Sequence, residues 1–443
     1  MSEPLVYVLV INWNGREHLA DCFDALLASR YGNAVFLLID NGSDDDSAAF
    51  VTGHYGRDPR VAILPCAENR GWSGGNNAGI RKALAADADY IFLLNNDTAV
   101  APRCIESLVA AMEARPECGA LAPRMLLFDQ PWIVNSIGLE MSIVGAAWDR
   151  GIGRADGPAW RESVPVVGAC GGAAFFRASV LAETGLLPEE FEIYLDDLDL
   201  CLRIWGAGYR IYTCPEASVR HKFSATMGVG ERARRKYYLN TRNRFWLLAR
   251  NLPAHRLLAV SPWLILGECR ALGRAVLSGE AWRFGLHVRA WIAALAYLPR
   301  AWRFRRTVAP KPVRETFWPL VRRRPLFCPA VVLPEKGWYA PVRHGGKWVR
   351  PIGSEATVKI PSGPLRLSLV NCYPEIGPVE VAIALGDAAL GILRDPGERE
   401  AIYHTNGGTL TLRSASLFPP SATGHPMEIG AWLQISSNDN PLV

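Results

Sequence analysis

Four apolar runs near the start of the chain, each leading into a polar cluster, constrain its fold more than any other feature. The sharpest is Tyr90 to Thr98, YIFLLNNDT, where five apolar or aromatic residues run straight into Asn95-Asn96-Asp97. An unbroken run of this kind reads as a strand buried on both faces. Leu5 to Ile11 ends in Asn12-Trp13-Asn14-Gly15, and Val35 to Ile39 ends in Asp40-Asn41-Gly42-Ser43. Val61 to Leu64 is followed by ENRGWSGGNN, Glu68 to Asn77.

Between these runs the apolar period changes. Leu19, Cys22, Phe23 and Leu26 recur at helical spacing, as do Ile105, Leu108, Val109 and Met112. The ENRGWSGGNN segment reads as a polar loop opening a helix through about Ala86. Such alternation predicts an α/β fold: a Rossmann-like, mostly parallel sheet covered by helices, with its ligand site beyond the carboxyl ends of the strands. The polar clusters fall at those ends. An Asp there can hold a divalent cation against a phosphate, although an Asn/Asp turn is the plainer explanation of NND alone. Glycines 71, 74 and 75 permit close backbone approach, and the helix they open offers N–H groups to an anion. Neither GxxxxGK[ST] nor a clean GxGxxG is present, which disfavours a dinucleotide fold.

Further on, GACGGAAFFR (Gly168 to Arg177) reads as a tight segment entering a strand, with Gly171 and Gly172 where side chains would block a ligand. In FEIYLDDLDLC the apolar period of Leu198, Cys201, Leu202 and Trp205 starts a helix at Asp196 or Asp197. Acids in a first turn suit the helix dipole, yet three aspartates in four positions exceed what capping needs. A carboxylate at such a junction can act as a general base. Tyr209 to Thr213 is a further strand, and Pro215 to Lys222 is expected to be a loop carrying His221, either as a hydrogen-bonded surface residue or as a metal ligand.

At 443 residues the chain exceeds one average core, and 49% apolar with 21% charged residues is ordinary for a globular protein. Its ten cysteines form no CxxC pair and suggest neither a zinc site nor a disulfide framework, so free thiols in a reducing cytosol account for them. The acidic start does not read as a signal peptide, and no apolar run reaches the roughly 18 residues of a membrane span. The net charge of +5 hides a basic block: Lys222 to Pro325 holds 22 Lys/Arg against 4 Asp/Glu. Arginines and aromatics interleave there through Trp282, Arg289, Trp291, Arg300, Trp302 and Phe304. The block suits nucleic acid, an anionic membrane surface, or a solvated face packed on a core. Prolines from Pro310 to Pro334 mark a stiff linker. Beyond it, β-type runs at 356–360, 365–370, 379–384, 388–393 and 409–412 predict a small antiparallel sandwich. Trp338, Tyr339, Trp348, Tyr373 and Trp432 are either core aromatics or a sugar-stacking platform. Four parts follow: 1–230, 231–307, 308–334 and 335–443.

Taken in order, VLVINWNG, LLIDNGSDDDS, ENRGWSGGNNAGI, FLLNNDT, YLDDLDLCLRIWGAGY and VRHK resemble the inverting family 2 glycosyltransferases of GT-A type, in particular their bacterial rhamnosyltransferase-like branch. The resemblance spans about Val6 to Pro253. It implies a nucleotide-sugar donor held by Asn12, Asn14, Asp40, Asn41, Ser43, Asn69, Arg70, Gly71, Gly74, Asn76, Asn95, Asn96, Gly171 and Gly172. It implies Mg2+ or Mn2+ on Asp97 and His221, and Asp197 as catalytic base with Asp196 beside it. Two residues depart from the family pattern: Asn95 replaces the first acid of its DXD-like motif, and Asp196 stands where Glu is usual. The implied acceptor is a glycan or lipid-linked glycan in cell-surface polysaccharide synthesis. The basic block then fits an anionic membrane surface at the cytoplasmic face, and no nucleic acid is expected. The rival reading is a non-catalytic carbohydrate- or nucleic-acid-binding protein on a degenerate transferase domain.

Overall fold

The alternation of apolar runs and helical periods is realised as a wound α/β sheet. The computed structural model describes residues 3–154, 156–222, 231–277, 281–307, 317–321, 333–338, 342–344, 347–369, 379–395, 397, 400–414, 431–437 and 440–441. In order these give β1 Val6–Asn12, α1 Arg16–Leu27, β2 Ala34–Asp40, α2 Ser47–Tyr55, β3 Val61–Pro65, α3 Gly71–Ala85, β4 Tyr90–Asn95, β5 Thr98–Val100, α4 Cys104–Glu113 and β6 Cys118–Leu127. Then come β7 Val134–Ser136, β8 Leu139–Met141, β9 Ala147–Asp149, β10 Ala173–Arg177, α5 Ala178–Thr184, α6 Asp196–Ala207 and β11 Arg210–His221. Three long helices follow: α7 Glu231–Asn251, α8 Ala254–Leu277 and α9 Ala281–Thr307.

The main sheet runs β3-β2-β1-β4-β10-β6-β11-β5. Strands β1, β2, β3 and β4 are mutually parallel, as are β6 and β11, while β10 lies antiparallel between β4 and β6. The register sets Asn12 beside Asp40 and Ile11 beside Asn95, so three polar clusters share one sheet edge. Alternate residues of each strand enter opposite cores, as an unbroken apolar run requires. Val6, Val8 and Val10 pack with Leu19, Phe23, Phe92 and Leu108 on one face. Leu9, Leu37, Ile91 and Leu93 pack with Ile80, Leu198 and Leu202 on the other.

Two local expectations change. Residues 71–77 are not a loop but the first two turns of α3, with Gly74, Gly75, Asn76 and Asn77 buried. Its glycines serve packing: a Cβ on Gly79 would strike Ile39, and one on Gly75 would lie 2.7 Å from Ile11 Cδ1. Likewise His221 is not on a post-strand loop but is the last residue of β11. Pro215 is absorbed by a register shift between Cys214 and Ser218, after which pairing with β6 resumes. His221 therefore sits inside the sheet, opposite Thr98 of β5.

The chain divides into two compact units, and α7, α8 and α9 belong to the same one as the main sheet. In the second, β14 Lys347–Leu369, preceded by β12 Leu333–Trp338 and β13 Val342–His344, is followed by β15 Val379–Leu385, β16 Ala388–Asp395, β17 Glu400–Ser414 and β18 Ala431–Ser437. They form a small, largely antiparallel sheet around a core of its own, including Val358, Leu367, Val381, Leu393 and Leu412. The run at 356–360 and residues 365–369 of the next are parts of one strand, β14, which pairs with β17 across the intervening prolines, and residue 370 lies outside the described residues. All of Tyr339 and Tyr373, and the side chains of Trp338, Trp348 and Trp432, lie outside the described residues.

Candidate functional site

The Asn-Asn-Asp cluster ending β4 splits into three jobs. Asn95 accepts a hydrogen bond from the Trp72 indole at 3.1 Å, and Asn96 donates to Asn12 Oδ1 at 2.5 Å. Asp97 alone turns to His221, its Oδ1 lying 3.2 Å from the imidazole Nε2, with both residues about 8% exposed. The two atoms are within charge-contact range, and a carboxylate oxygen has a second lone pair beyond that contact, so this buried oxygen keeps acceptor capacity. Burial pushes the Asp97 carboxyl up, yet His221, and His18 further off, outweigh it and hold the group below its ordinary range.

On the other side of the site, α6 starts with Asp196 and Asp197. Asp197 Oδ2 accepts the Gly171 N–H at 2.9 Å, and Oδ1 accepts the Leu198 N–H at 2.8 Å. Ser73 on α3 donates to Asp196 Oδ2 at 2.5 Å. Burial, and then the neighbouring Asp196 charge, raise the Asp197 carboxyl well above its usual range. Asp196 is raised too, by burial against the relief given by Ser73. The third aspartate has a different task. Asp199 is fully buried and ion-paired to Arg203 at 3.0 Å and Arg250 at 2.9 Å, with Asn251 donating at 2.7 Å.

Gly171 and Gly172 join the two sides. A Cβ on Gly171 would lie 2.5 Å from the Trp72 ring and 3.4 Å from Asp197 Cβ. One on Gly172 would lie 3.6 Å from Asn95 Nδ2 and 3.7 Å from His221 Cε1. Adjacent glycines thus bring the acidic start of α6 and the Asp97–His221 pair to within one residue of each other along the backbone. The space over Gly171 is filled by the protein's own indole.

At the β1 and β2 ends a polar lattice forms. Asn12 Nδ2 and the Asn14 N–H both donate to Ser43 Oγ, at 3.2 and 3.1 Å, and Asp40 Oδ1 accepts the Ser43 N–H at 3.2 Å. Buried Asn41 donates to Asn69 Oδ1 and Gly71 O, both at 3.1 Å, and accepts the Arg70 N–H at 3.1 Å. Asn69 Oδ1 also accepts the Gly71 N–H at 2.8 Å, across a left-handed Gly71 (φ +71°) that a side chain would strain. Gly74 lies against Arg70 and Glu189, and Asn76 bonds its own helix at Trp72 O while its Oδ1 is buried and accepts nothing. The lattice leaves the Asp40 carboxylate partly accessible at the sheet edge.

Residues 7–184 match the family model Glycosyl transferase family 2. The chain carries a family 2 glycosyltransferase domain. Among relatives, the N-acetylglucosaminyl-diphospho-decaprenol L-rhamnosyltransferase of Mycobacterium tuberculosis (strain ATCC 25618 / H37Rv) is 26% identical over 244 residues, covering 50% of this chain and 77% of that protein. Galactofuranosyltransferase GlfT1 of Mycolicibacterium smegmatis is 24% identical over 312 residues, 68% of this chain and 98% of that one. In fold, the chain is similar to GalNAc-T7, solved with UDP, GalNAc and Mn2+, at a TM-score of 0.52 and 12% identity over 81% of this chain and 64% of that one. The family model and these relatives make the chain a glycosyltransferase enzyme, and the non-catalytic alternative gives way.

Several residues of this transferase escaped the sequence reading. Trp72 and Ser73 lie inside GWSGG, where attention to glycines concealed two side-chain donors, to Asn95 and to Asp196. Glu189 gathers Asn77 at 2.9 Å and Arg81 at 3.1 Å, with Arg70 at 3.8 Å. Asp149 of β9 adds to the negative field on Asp197 and is itself raised, chiefly by burial. It lies in a stretch without a legible motif.

Proposed function

We propose that this transferase moves a sugar from a nucleotide-sugar donor, of dTDP-rhamnose or UDP-sugar type, to a hydroxyl of a glycan or lipid-linked glycan, inverting the anomeric carbon with the help of Mg2+ or Mn2+. The observation that carries this reading is the Gly171–Gly172 step, with the Asp197 carboxylate bonded to one glycine and His221 beside the next. The diphospho-decaprenol in the name of the mycobacterial rhamnosyltransferase supports a diphospho-lipid acceptor.

Asp197 takes the acceptor hydroxyl proton. Its raised carboxyl makes it a stronger base than a solvated aspartate, and the Gly171 N–H fixes its orientation. One base suffices, because a single in-line displacement lacks the second carboxylate step of a retaining hydrolase. Asp97 and His221 would hold the cation. Among the described residues no group of three His, Cys, Asp or Glu side chains gathers, so donor phosphates and water are left to complete the shell. The fit rests on the acceptor capacity of buried Asp97 Oδ1 next to the His221 imidazole. When bound, the cation offsets the charge that builds on the leaving diphosphate. Asn95 brings no charge, so His221 carries more of the binding than in a site with two acids.

On this reading residues 1–230 are the catalytic part, 231–307 the part that meets a membrane, 308–334 a linker, and 335–443 a domain for interaction with glycan or protein. Helices α8 and α9 support the membrane assignment. Leu258, Trp263, Ile265, Leu266, Ile292, Leu295 and Trp302 are all exposed on them, and Glu268, the acid described there, is buried against Arg244 and His287. Among the described residues no helix is long and apolar enough to cross a membrane, so we assign a peripheral position on the anionic inner face of the plasma membrane.

The test is a transfer assay across UDP-, dTDP- and GDP-sugars with Mn2+. Asp197→Asn is expected to lose at least about 100-fold in kcat with donor affinity unchanged. Near-wild-type turnover would remove Asp197 as the base. Asp97→Ala is expected to lose the Mn2+-dependent part of donor binding by calorimetry. Equal donor affinity with and without Mn2+ in the unaltered protein would defeat the cation assignment.

A further inference from the structure

The segment that delivers Asp196 and Asp197 is held in an unfavourable backbone shape. Glu192 has φ +68° and ψ −62°, Tyr194 has φ +72° and Leu195 has φ +63°. The Ile193 N–H bonds to Phe191 O at 2.9 Å, closing a γ-turn of the rare positive-φ form on Glu192. Leu195, also left-handed, is the N-cap of α6, and its carbonyl accepts the Asp199 N–H at 2.9 Å. Three of four consecutive non-glycine residues in this region of φ persist only if their surroundings over-determine them.

The surroundings that do so lie on α7. Fully buried Asn243 turns its amide nitrogen to three carbonyls of the segment, Phe191 and Ile193 at 3.0 Å and Tyr194 at 2.9 Å. Its own oxygen is taken by Arg242 Nε at 2.9 Å, which fixes which end of the amide faces the carbonyls. Arg242 then reaches Phe191 O at 3.0 Å and the Glu192 carboxylate at 2.9 Å, with its guanidinium over the Trp246 ring. Arg235, two turns earlier on α7, takes the other Glu192 oxygen at 3.0 Å.

We propose that Asn243, oriented by Arg242, is a positioning residue for the catalytic aspartates: it holds residues 191–195 in the strained shape that points the start of α6 into the site. Neither residue meets the Gly171–Gly172 step or the nucleotide-side lattice directly; they act on the segment that carries Asp196 and Asp197, whose Glu192 carbonyl also borders Gly71. The inference rests on Asp197 being the base, and the backbone measurement below does not.

Asn243→Ala takes the side-chain donor from the Ile193 and Tyr194 carbonyls and one of three donors from Phe191 O, which keeps the Ile193 N–H and Arg242. In the full-length protein it is expected to lower kcat about 100-fold, the scale of a displacement of about an ångström at a catalytic group. The affinity for UDP, dTDP and GDP with Mn2+ is expected to stay within about twofold of the unaltered protein. Hydrogen exchange of the peptide spanning 191–199 is expected to speed up while β1, β2 and β4 keep their protection. Adding Leu195→Gly to Asn243→Ala removes the side chain that makes the left-handed N-cap costly, and should recover at least about tenfold of the lost kcat. Normal kcat with unchanged exchange in 191–199 would overturn the proposal. So would loss of kcat with protection lost throughout the sheet and no recovery from Leu195→Gly, because that outcome marks a general folding role. If exchange rises locally while Asp197→Asn retains turnover, the brace stands and the choice of base fails.

Discussion

A base that must take up and release a proton near neutrality needs a carboxyl moved toward neutrality, and two neighbouring aspartates can do this to each other. Burial first, then the Asp196 charge, push Asp197 up to about 7, with the Gly171 and Leu198 N–H groups opposing. Two pH dependences of opposite sign follow. With Asp197 as the proposed base, activity would need the ionised form, and kcat/KM is expected to fall as pH drops through about 7, since that ratio reports the free enzyme. Stability runs the other way. The folded state favours the protonated carboxyl, so this contribution is fully present below the unfolded carboxylate range and is lost as pH rises through about 7. Asp196→Asn keeps a partner for Ser73 and removes the like charge. It should move the kcat/KM inflection to lower pH and flatten the stability loss between the ordinary carboxylate range and about pH 7. An inflection already in the ordinary carboxylate range, unmoved by Asp196→Asn, would show that another group controls turnover. The departure at Asn95 also has its account at this scale. An amide there accepts the Trp72 indole N–H, and Trp72 in turn occupies the space over Gly171.

Helix α6 shows what a motif can and cannot reveal. Its start at Asp196, its apolar face and the acidic pair were legible, because period and dipole act within a few residues. The role of Asp199 was not. Its partner Arg203 lies one turn away, but Arg250 is on α7 and arrives only through tertiary packing. The same limit explains α3, where glycine-rich composition argued for a loop and packing against Ile11 and Ile39 made a helix of it. It explains β11 as well, since Pro215 looked like a strand end and the chain accommodates it by a register shift. The sheet and its order of polar edges were thus readable from local pattern. The braces from α7 were not, because their donors lie some fifty residues from what they hold. Asp199→Ala tests the value of one such brace. It removes the carboxylate shared by Arg203 and Arg250, both under 5% exposed, leaving Arg203 with only backbone carbonyls and Arg250 with Glu190 and Tyr297, and is expected to destabilise the fold by about 3 kcal/mol in urea denaturation. Asp199→Asn retains acceptor capacity and should cost less. Equal and small losses for both would mean that solvent or rearrangement satisfies the arginines.

At the scale of the whole molecule, the proposed membrane position turns on α8 and α9. The exposed face of α8 runs through Leu258, Ile265, Leu266 and Val276, and that of α9 through Phe284, Ile292, Leu295 and Trp302. Arg289, Arg300 and Arg306 are exposed on α9 as well. A purely solvated face would not keep so many large apolar side chains in water, and a protein-facing patch would not need its charge to be so uniformly basic. An anionic bilayer satisfies both, the apolar groups entering the acyl boundary while the guanidinium groups meet the head groups. Each basic residue near such a surface contributes about 1 kcal/mol, so the triple change Arg289→Glu, Arg300→Glu and Arg306→Glu should weaken partition into phosphatidylglycerol vesicles by at least about 100-fold. Binding of the unaltered protein should fall with salt, since the exposed charges are screened within about 10 Å at 0.1 M. Ile292→Ser with Leu295→Ser should reduce binding even at low salt, because the apolar contribution is not screened. Neither set touches the Asp197 or Asp97 side of the site, so turnover on a water-soluble acceptor should survive in both while turnover on a vesicle-borne acceptor falls. Vesicle co-sedimentation that is equal for phosphatidylcholine and phosphatidylglycerol, or absent from both, would remove the membrane from the picture and leave this face for a protein partner.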